Sequence, residues 1–505
     1  MTTTNPQSEG GVAAYGNALT IERNGINVIS EAERKGAPRD LFWPWCASNI
    51  SVLGLSYAAF VLYFGLSFWQ ALFASVIGTI VSFILVGLVS LAGKRGSAPT
   101  MALSRAAFGV QGNALPTVVS YLILVGWETV LVALSTLATA TVFSELGWSS
   151  GDVTKVIAFL VVAALIVAAG VLGFDLIMKL QRWLTYVTVI MTVGYIALTL
   201  DELDWGKISD LPGGDWKAQV GALVLMMTAF GLSWVNSAAD YSRYLPRAAS
   251  SRGVVGWTTF GGAVAPVILL VYGLLLIGSD PDVGGDEHLI GQIAGDPIGA
   301  LAALLPNGFL LIYVIVAVAG LIAGAVLDIY SSGLSLLTLG VPLPRWGAAL
   351  LDGVIMILGA IYIVWIADDF LGPFMGFLIT LGVPITSWCG IFLADLALRR
   401  RDYDDASLFD PRGRYGAVNW VSVGSMVVSA VVGWGLVVNT AKGFDWQGYL
   451  LDPFGLGGKG GAWAFANLGV AFAFVFSFVV YYVVCADRVR HQEGAEATQE
   501  TLADR

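Results

Sequence analysis

Charge is scarce in this sequence. Asp, Glu, Lys and Arg together make up 12% of its 505 residues, about half of the ~25% usual for soluble chains. It has only two histidines (His288 and His491) and three cysteines (Cys46, Cys389 and Cys485), widely separated and without any Cys-x-x-Cys pair. That scarcity excludes a disulfide framework, and no metal-ligand spacing is visible. No Gly-x-x-x-x-Gly-Lys-Ser/Thr run occurs either, so no loop is built to cradle ATP phosphates. If the chain moves a solute uphill, an ion gradient must supply the free energy. The net charge of −10 argues against a nucleic-acid partner, and no cofactor is implied.

Long apolar runs, by contrast, dominate. Hydrophobic residues make up 57% of the chain and its mean hydropathy is +0.77, more apolar surface than a soluble fold covers. About a dozen mainly apolar stretches reach 20 or more residues, each long enough to cross a ~30 Å hydrocarbon core at about 1.5 Å per residue. The sequence therefore predicts an all-α polytopic membrane protein set in a lipid bilayer. Its spans 1 to 12 fall at 41–64, 69–92, 114–143, 154–173, 177–199, 218–241, 253–278, 302–336, 345–366, 370–398, 417–440 and 462–486.

The first 40 residues are polar and end in Glu31, Glu33, Arg34, Lys35, Arg39 and Asp40. The reading is that no cleavable signal peptide precedes span 1 and that the N-terminus stays in the cytoplasm. With twelve spans, the outer loops then hold only Lys155, Lys207, Lys217, Lys442 and Lys459 of the 26 basic residues, the other 21 lying inside. That asymmetry is what the positive-inside rule asks of a correct topology. The expected location is the plasma membrane, with both termini cytoplasmic; nothing in the sequence specifies an oligomer.

Many secondary transporters bind their substrate at mid-membrane, between helices interrupted by Gly, Pro or polar residues. Span 1 carries Ser48, Asn49 and Ser51 in an otherwise apolar stretch, and span 6 carries Phe230-Gly231-Leu232-Ser233-Trp234-Val235-Asn236-Ser237 before Asp240. The two are offset by five spans, so they cross the membrane in opposite directions, the spacing of a five-plus-five inverted repeat. Close helix packing alone also explains small and polar residues in either segment; the matched pair favours broken helices.

Glu128 falls near the middle of span 3, where a carboxylate is costly and such residues usually handle ions or substrate. It is a candidate for proton exchange, and a structural hydrogen-bonding group is the alternative. Asp328 in span 8 is a second candidate. Asp175, Asp352, Asp368, Asp369 and Asp395 fall at span ends, where the reading is a solvated or capping role. Trp127 and Phe230 lie at mid-span depth beside the presumed breaks. Two aromatic planes with amide and carboxyl groups nearby suit a flat heterocycle.

These motifs resemble the nucleobase-cation symporter family, in its purine and cytosine permease branch, from about residue 22 to 486. The resemblance rests on Trp45 with Asn49, Ser104-Arg105 with Phe108-Gly109, and Gly126-Trp127-Glu128-Thr129. It continues through Asp240-Tyr241-Ser242-Arg243-Tyr244-Leu245-Pro246, Ile329-Tyr330-Ser331, and Arg414-Tyr415-Gly416 with Asn419-Trp420. It implies the LeuT-type fold: ten spans in two inverted repeats plus two accessory helices. The expected order is a cytoplasmic tail over 1–40, a first repeat over 41–200, a second over 218–398, accessory helices over 417–486 and a cytoplasmic tail over 487–505.

In such proteins a span 3 tryptophan and a span 6 aromatic sandwich the ring, roles that pass here to Trp127 and Phe230, with Trp234 as the alternative second face. Relatives often carry an amide four residues after that tryptophan; this chain has Leu131, so polar recognition is expected to shift to Glu128. Sodium-coupled relatives place hydroxyl residues in span 8 against span 1 carbonyls. The corresponding stretch, Val316 to Ala323, has none, which favours protons over sodium. Asn49, Ser51, Trp127, Glu128, Phe230, Gly231, Trp234 and Gly324 form the expected substrate set, with Glu128 and Asp328 as coupling residues. The implied activity is import of cytosine or purine bases by cation symport through alternating access. A family carrier of hydantoin, allantoin or a vitamin is the alternative. From other classes, a channel would need no coupling residue, and a membrane-embedded enzyme would need a nucleophile, metal ligands or an acid–base pair at matching depth, for which neither His is placed.

Overall fold

The computed structural model describes residues 21–280, 288–367 and 370–503. Among these every regular element is helical, the solution open to a chain that must pair its backbone polar groups within hydrocarbon. Asp368, Asp369, Arg505 and the first 20 residues of the expected N-terminal tail lie outside the described residues.

A helix stands at each of the twelve apolar runs. Spans 2, 3, 4, 6, 7, 8, 9 and 10 are each long and apolar enough to cross a membrane by themselves, for example Ala114–Glu145, Asn307–Thr338 and Arg345–Trp365. Span 5, Phe174–Leu198, is less apolar because it carries Lys179, Gln181 and Arg182. Span 11 is short, Trp420–Gly435, and starts where the Asn419 side chain accepts from the Val421 amide. Span 12, Leu468–Val484, bends by 50° into a further helix that runs over the expected C-terminal tail.

Boundaries differ from the sequence reading where proline intervenes. Span 8 is expected from 302, but Pro306 lacks an N–H and sits in extended backbone, so the helix begins at Asn307 and Gly299–Ala302 forms a separate turn.

The helices pack in groups. Spans 3 and 8 lie against each other along their length, with spans 4 and 9 packed on both; spans 2 and 7 hold spans 1 and 6; span 10 packs on spans 11 and 12. Residues 21–40 and the helix from Ala486 lie on one face, here the terminal face. There Lys35 pairs with Asp175 at the start of span 5, and Gln492 accepts from Arg399 at the end of span 10.

Spans 1 and 6 are both interrupted. Span 1 consists of Phe42–Ala47 and Leu53–Leu62, and no regular helix continues through residues 48–52 between them. Asn49 Nδ2 donates to the Trp45 carbonyl at 2.9 Å and Ser51 Oγ accepts from the Leu53 amide at 3.3 Å, so side chains satisfy backbone groups that the break releases. In span 6 the helix Trp216–Ala229 stops at Phe230 (φ −109°, ψ −106°). Ser233 Oγ donates to the Thr228 carbonyl at 2.6 Å, and Ser82 Oγ of span 2 accepts from the Gly231 amide at 3.1 Å. A Cβ at Gly231 would lie 2.3 Å from the Ser82 backbone carbon, so only glycine lets span 6 break this close to span 2.

Candidate substrate site

A cavity of about 50 Å³ lies where the two breaks face spans 3 and 8. At about 10–15 Å³ each, it has room for roughly three to five waters. Span 1 contributes Ser48, Asn49, Ser51 and Tyr57 to the lining; span 3, Trp127 and Leu131; span 6, Phe230 and Trp234; span 8, Gly320, Gly324 and Asp328. Span 8 comes close to the unwound part of span 1 because Gly320 and Gly324 have no side chains there. A Cβ at these positions would lie 3.3 Å from the Ile50 carbonyl oxygen and 3.0 Å from Leu131 Cδ1.

Asn49, Ser51, Trp127, Phe230, Trp234, Gly324 and Asp328 are therefore brought together, whereas Glu128 and Gly231 are not in the lining. Gly231 serves the contact with span 2. Glu128, fully buried, turns away from the cavity, and its Oε1 lies 2.7 Å from Ser332 Oγ of span 8. Successive helical residues point about 100° apart, so Trp127 and Glu128 address different neighbours.

The lining pairs aromatic faces with hydrogen-bonding groups that the protein does not use. Trp127 packs edge-on against Phe374 and Phe377 of span 10, with ring centroids 5.6 and 6.1 Å away. Phe230 packs edge-on against Tyr57 at 4.9 Å, and Trp234 against Trp45 at 5.8 Å. Both oxygens of Asp328 and the indole N–H of Trp127 are buried without a hydrogen-bond partner. Asn49 commits its Nδ2 to Trp45 and Ser48, which leaves its oxygen as an acceptor. Buried polar groups left open in this way cost about 1–3 kcal/mol each unless a ligand or water meets them.

Sequence reasoning missed Tyr57 and the aromatic cover supplied by Phe374. It also read Asp352 and Asp395 as solvated or capping residues at span ends, and the structure corrects this: both are fully buried and bonded to neighbouring helices. Asp395 accepts from Arg399 and from Tyr481 at 2.6 Å, and Asp352 from Tyr121 and Ser332. Their position near helix ends suggested water, but neighbouring helices cover those ends.

Residues 28–450 match the family described as permease for cytosine/purines, uracil, thiamine, allantoin. The chain belongs to this permease family. The permease is 25% identical over 498 residues to a Bacillus subtilis (strain 168) protein named "Putative purine-cytosine permease YxlA", covering 96% of this chain and all of that one. Its fold is that of Mhp1, a nucleobase-cation-symport-1 family transporter solved in a closed conformation with bromovinylhydantoin bound. The TM-score is 0.67 at 18% identity, with 93% of this chain and 96% of the other covered. A Na+-coupled sialic acid symporter in an outward-open state shares the fold at TM-score 0.60 and 12% identity, with 90% and 91% of the two chains covered. The permease thus has the LeuT-type arrangement of two inverted five-helix repeats with accessory helices.

Proposed function

We propose that this permease is a secondary active transporter, not an enzyme, that imports cytosine or a purine base with a proton by alternating access. Asp328 carries the reading. Asp328 lines the cavity and both its carboxyl oxygens are buried with no protein donor, so a ligand that brings N–H groups suits it. The exocyclic amino groups of cytosine, adenine and guanine supply them, whereas an imide edge sets carbonyl oxygens beside its single N–H and against the carboxyl. Trp127, Phe230 and Trp234 supply faces for a flat ring, and the Asn49 oxygen a further acceptor.

The absence of hydroxyls between Val316 and Ala323 supports protons over sodium. So does the Ala323 carbonyl, which already accepts from Gln181 Nε2 of span 5 at 2.7 Å. Glu128 and Asp328 share the coupling in this reading, Glu128 as a proton-carrying acid outside the cavity and Asp328 as the acid that meets the base. The skew of basic residues toward the terminal face supports a cytoplasmic location for both termini; in this reading the membrane is the plasma membrane. The repeats run over 41–200 and 218–398, with accessory helices over 417–486.

Uptake of labelled cytosine into proteoliposomes tests the reading. Replacing sodium with choline at fixed pH should leave uptake unchanged, and collapsing the proton gradient should stop accumulation. Unlabelled aminated bases should compete better than hydantoin, allantoin or vitamins. Strong sodium dependence would transfer coupling to backbone carbonyls, uptake that never exceeds the imposed gradient would make the protein a channel, and chemically altered base inside the vesicles would make it an enzyme.

A further inference from the structure

Away from the cavity, inside the group formed by spans 3, 8 and 9, two fully buried carboxyls meet across one hydroxyl. Ser332 Oγ of span 8 lies 2.7 Å from Glu128 Oε1 of span 3 and 3.0 Å from Asp352 Oδ2 of span 9. The other Asp352 oxygen accepts from the half-buried Tyr121 hydroxyl at 2.7 Å. Among the described residues no Lys, Arg or His lies within ion-pair distance of Glu128 or Asp352. The nearest cation along span 9, Arg345, is directed instead to Glu22 and to the carbonyls of Gly170 and Val171. Asp328 of span 8 is a third buried carboxyl nearby, and it faces the cavity.

Counting protons decides what this arrangement holds. A serine hydroxyl has one hydrogen to donate. With both carboxyls ionised, one of the two short contacts would set lone pairs against lone pairs, and two unpaired negative charges would be buried together, each costing several kcal/mol in order of magnitude. With one carboxyl protonated, its O–H donates to Ser332 Oγ, and the serine donates its own hydrogen to the other carboxylate. Both contacts are then hydrogen bonds.

We propose that Glu128 and Asp352 bind a single exchangeable proton across Ser332, and that this proton is the coupled ion. The assignment rests on the proton-symport reading above. The transfer is balanced: the Glu128 O–H breaks as a new Ser332 O–H forms, while the original Ser332 O–H breaks as Asp352 gains the hydrogen. One proton moves between spans 3 and 9 with no other change. Asp328 and Ser332 are four residues apart and so share one face of span 8, and Trp127 and Glu128 are consecutive on span 3. The same two helices thus carry both the substrate cavity and the proton site.

The proton count can be tested without substrate. In purified protein at neutral pH, the infrared difference between wild type and the Glu128→Gln/Asp352→Asn double variant should contain one protonated-carboxyl band and one carboxylate band. Each single substitution should displace the protonated band. Two carboxylate bands or two protonated bands would overturn the shared proton, as would a band moved by only one of the substitutions. Should these variants fail to fold, Ser332→Ala, which keeps both acids and removes the bridge, must shift both bands; unshifted bands count against the proposal. In proteoliposomes, Glu128→Gln and Asp352→Asn should each retain exchange of labelled cytosine and lose accumulation driven by a pH gradient, with the double variant no worse than either single. Undiminished pH-driven accumulation in both single variants overturns the coupling role even where the bands appear. A wild type that carries no cytosine or purine counts instead against the nucleobase reading, and the infrared result still decides the proton count.

Discussion

The cavity is closed by different chemistry at its two ends. On the terminal face the closure is polar: Glu22, from the N-terminal segment, accepts from Arg243 Nη2 at 3.1 Å, from the hydroxyls of Tyr244 and Tyr330, and from the Phe174 amide at 2.8 Å. Arg345 lies 3.8 Å from its second oxygen. One carboxylate thereby ties the ends of spans 5, 6, 8 and 9 together. On the opposite face the closure is aromatic: Phe374 of span 10 packs against Trp127 at 5.6 Å, Phe60 at 6.2 Å, Tyr57 at 6.4 Å and Phe370 at 5.3 Å. Removing one partner of a buried ion pair costs about 3–5 kcal/mol, whereas an aromatic pair contributes about 0.5–1.5 kcal/mol beyond its buried area. The terminal closure therefore depends on charge and the opposite one on packed aromatic surface.

The largest expected effect follows from Glu22→Ala, which removes the ion-pair partner of Arg243, a fully buried guanidinium left with the Gly25 carbonyl and the Tyr330 hydroxyl. The protein should lose about 3–5 kcal/mol of stability, read as a lower unfolding midpoint in detergent and faster hydrogen exchange over residues 21–40. Glu22→Gln, which keeps acceptors but no charge, should fall between. An unchanged midpoint in the Ala variant would break the contrast between the two ends.

Trp127→Ala comes next, because this ring both faces the cavity and supports Phe374. Loss of one stacking face is worth roughly 1–3 kcal/mol, about 5- to 150-fold in base affinity, while Trp127→Phe should be milder. Normal affinity in the Ala variant would reduce Trp127 to packing. The smallest change is expected for Phe374→Ala, which thins the aromatic closure without touching the Glu22 cluster. It should raise the rate of base release to the opposite face by less than the Trp127 loss and leave hydrogen exchange over residues 21–40 as in wild type. Faster exchange there would show that the two closures are not separate devices.

Which of these features could be read before the structure depended on local contrast. The breaks in spans 1 and 6 were visible because Ser48, Asn49, Ser51 and Gly231-Leu232-Ser233 interrupt apolar runs, and most of the lining follows from them. Trp127 stood out by depth, and Asp328 as a carboxyl within an apolar span. The direction of Glu128 did not, because span 3 packs against helices on several sides, and helical periodicity separates faces only when one of them meets a different solvent. Asp352 looked like a helix-end residue for the same reason: burial at a helix end is decided by neighbours distant in sequence. Glu22 read as part of a polar tail, since nothing nearby announces that Arg243 and Arg345, more than 200 residues away, converge on it.

The bare face of span 8 sets the width of the site. Gly320 and Gly324 turn no side chain toward the cavity, and a Cβ there would meet the Ile50 carbonyl oxygen at 3.3 Å and Leu131 Cδ1 at 3.0 Å. A single methyl at either position would narrow the slot without altering one of its hydrogen-bonding groups, so size and polarity of the cargo are selected by different helices.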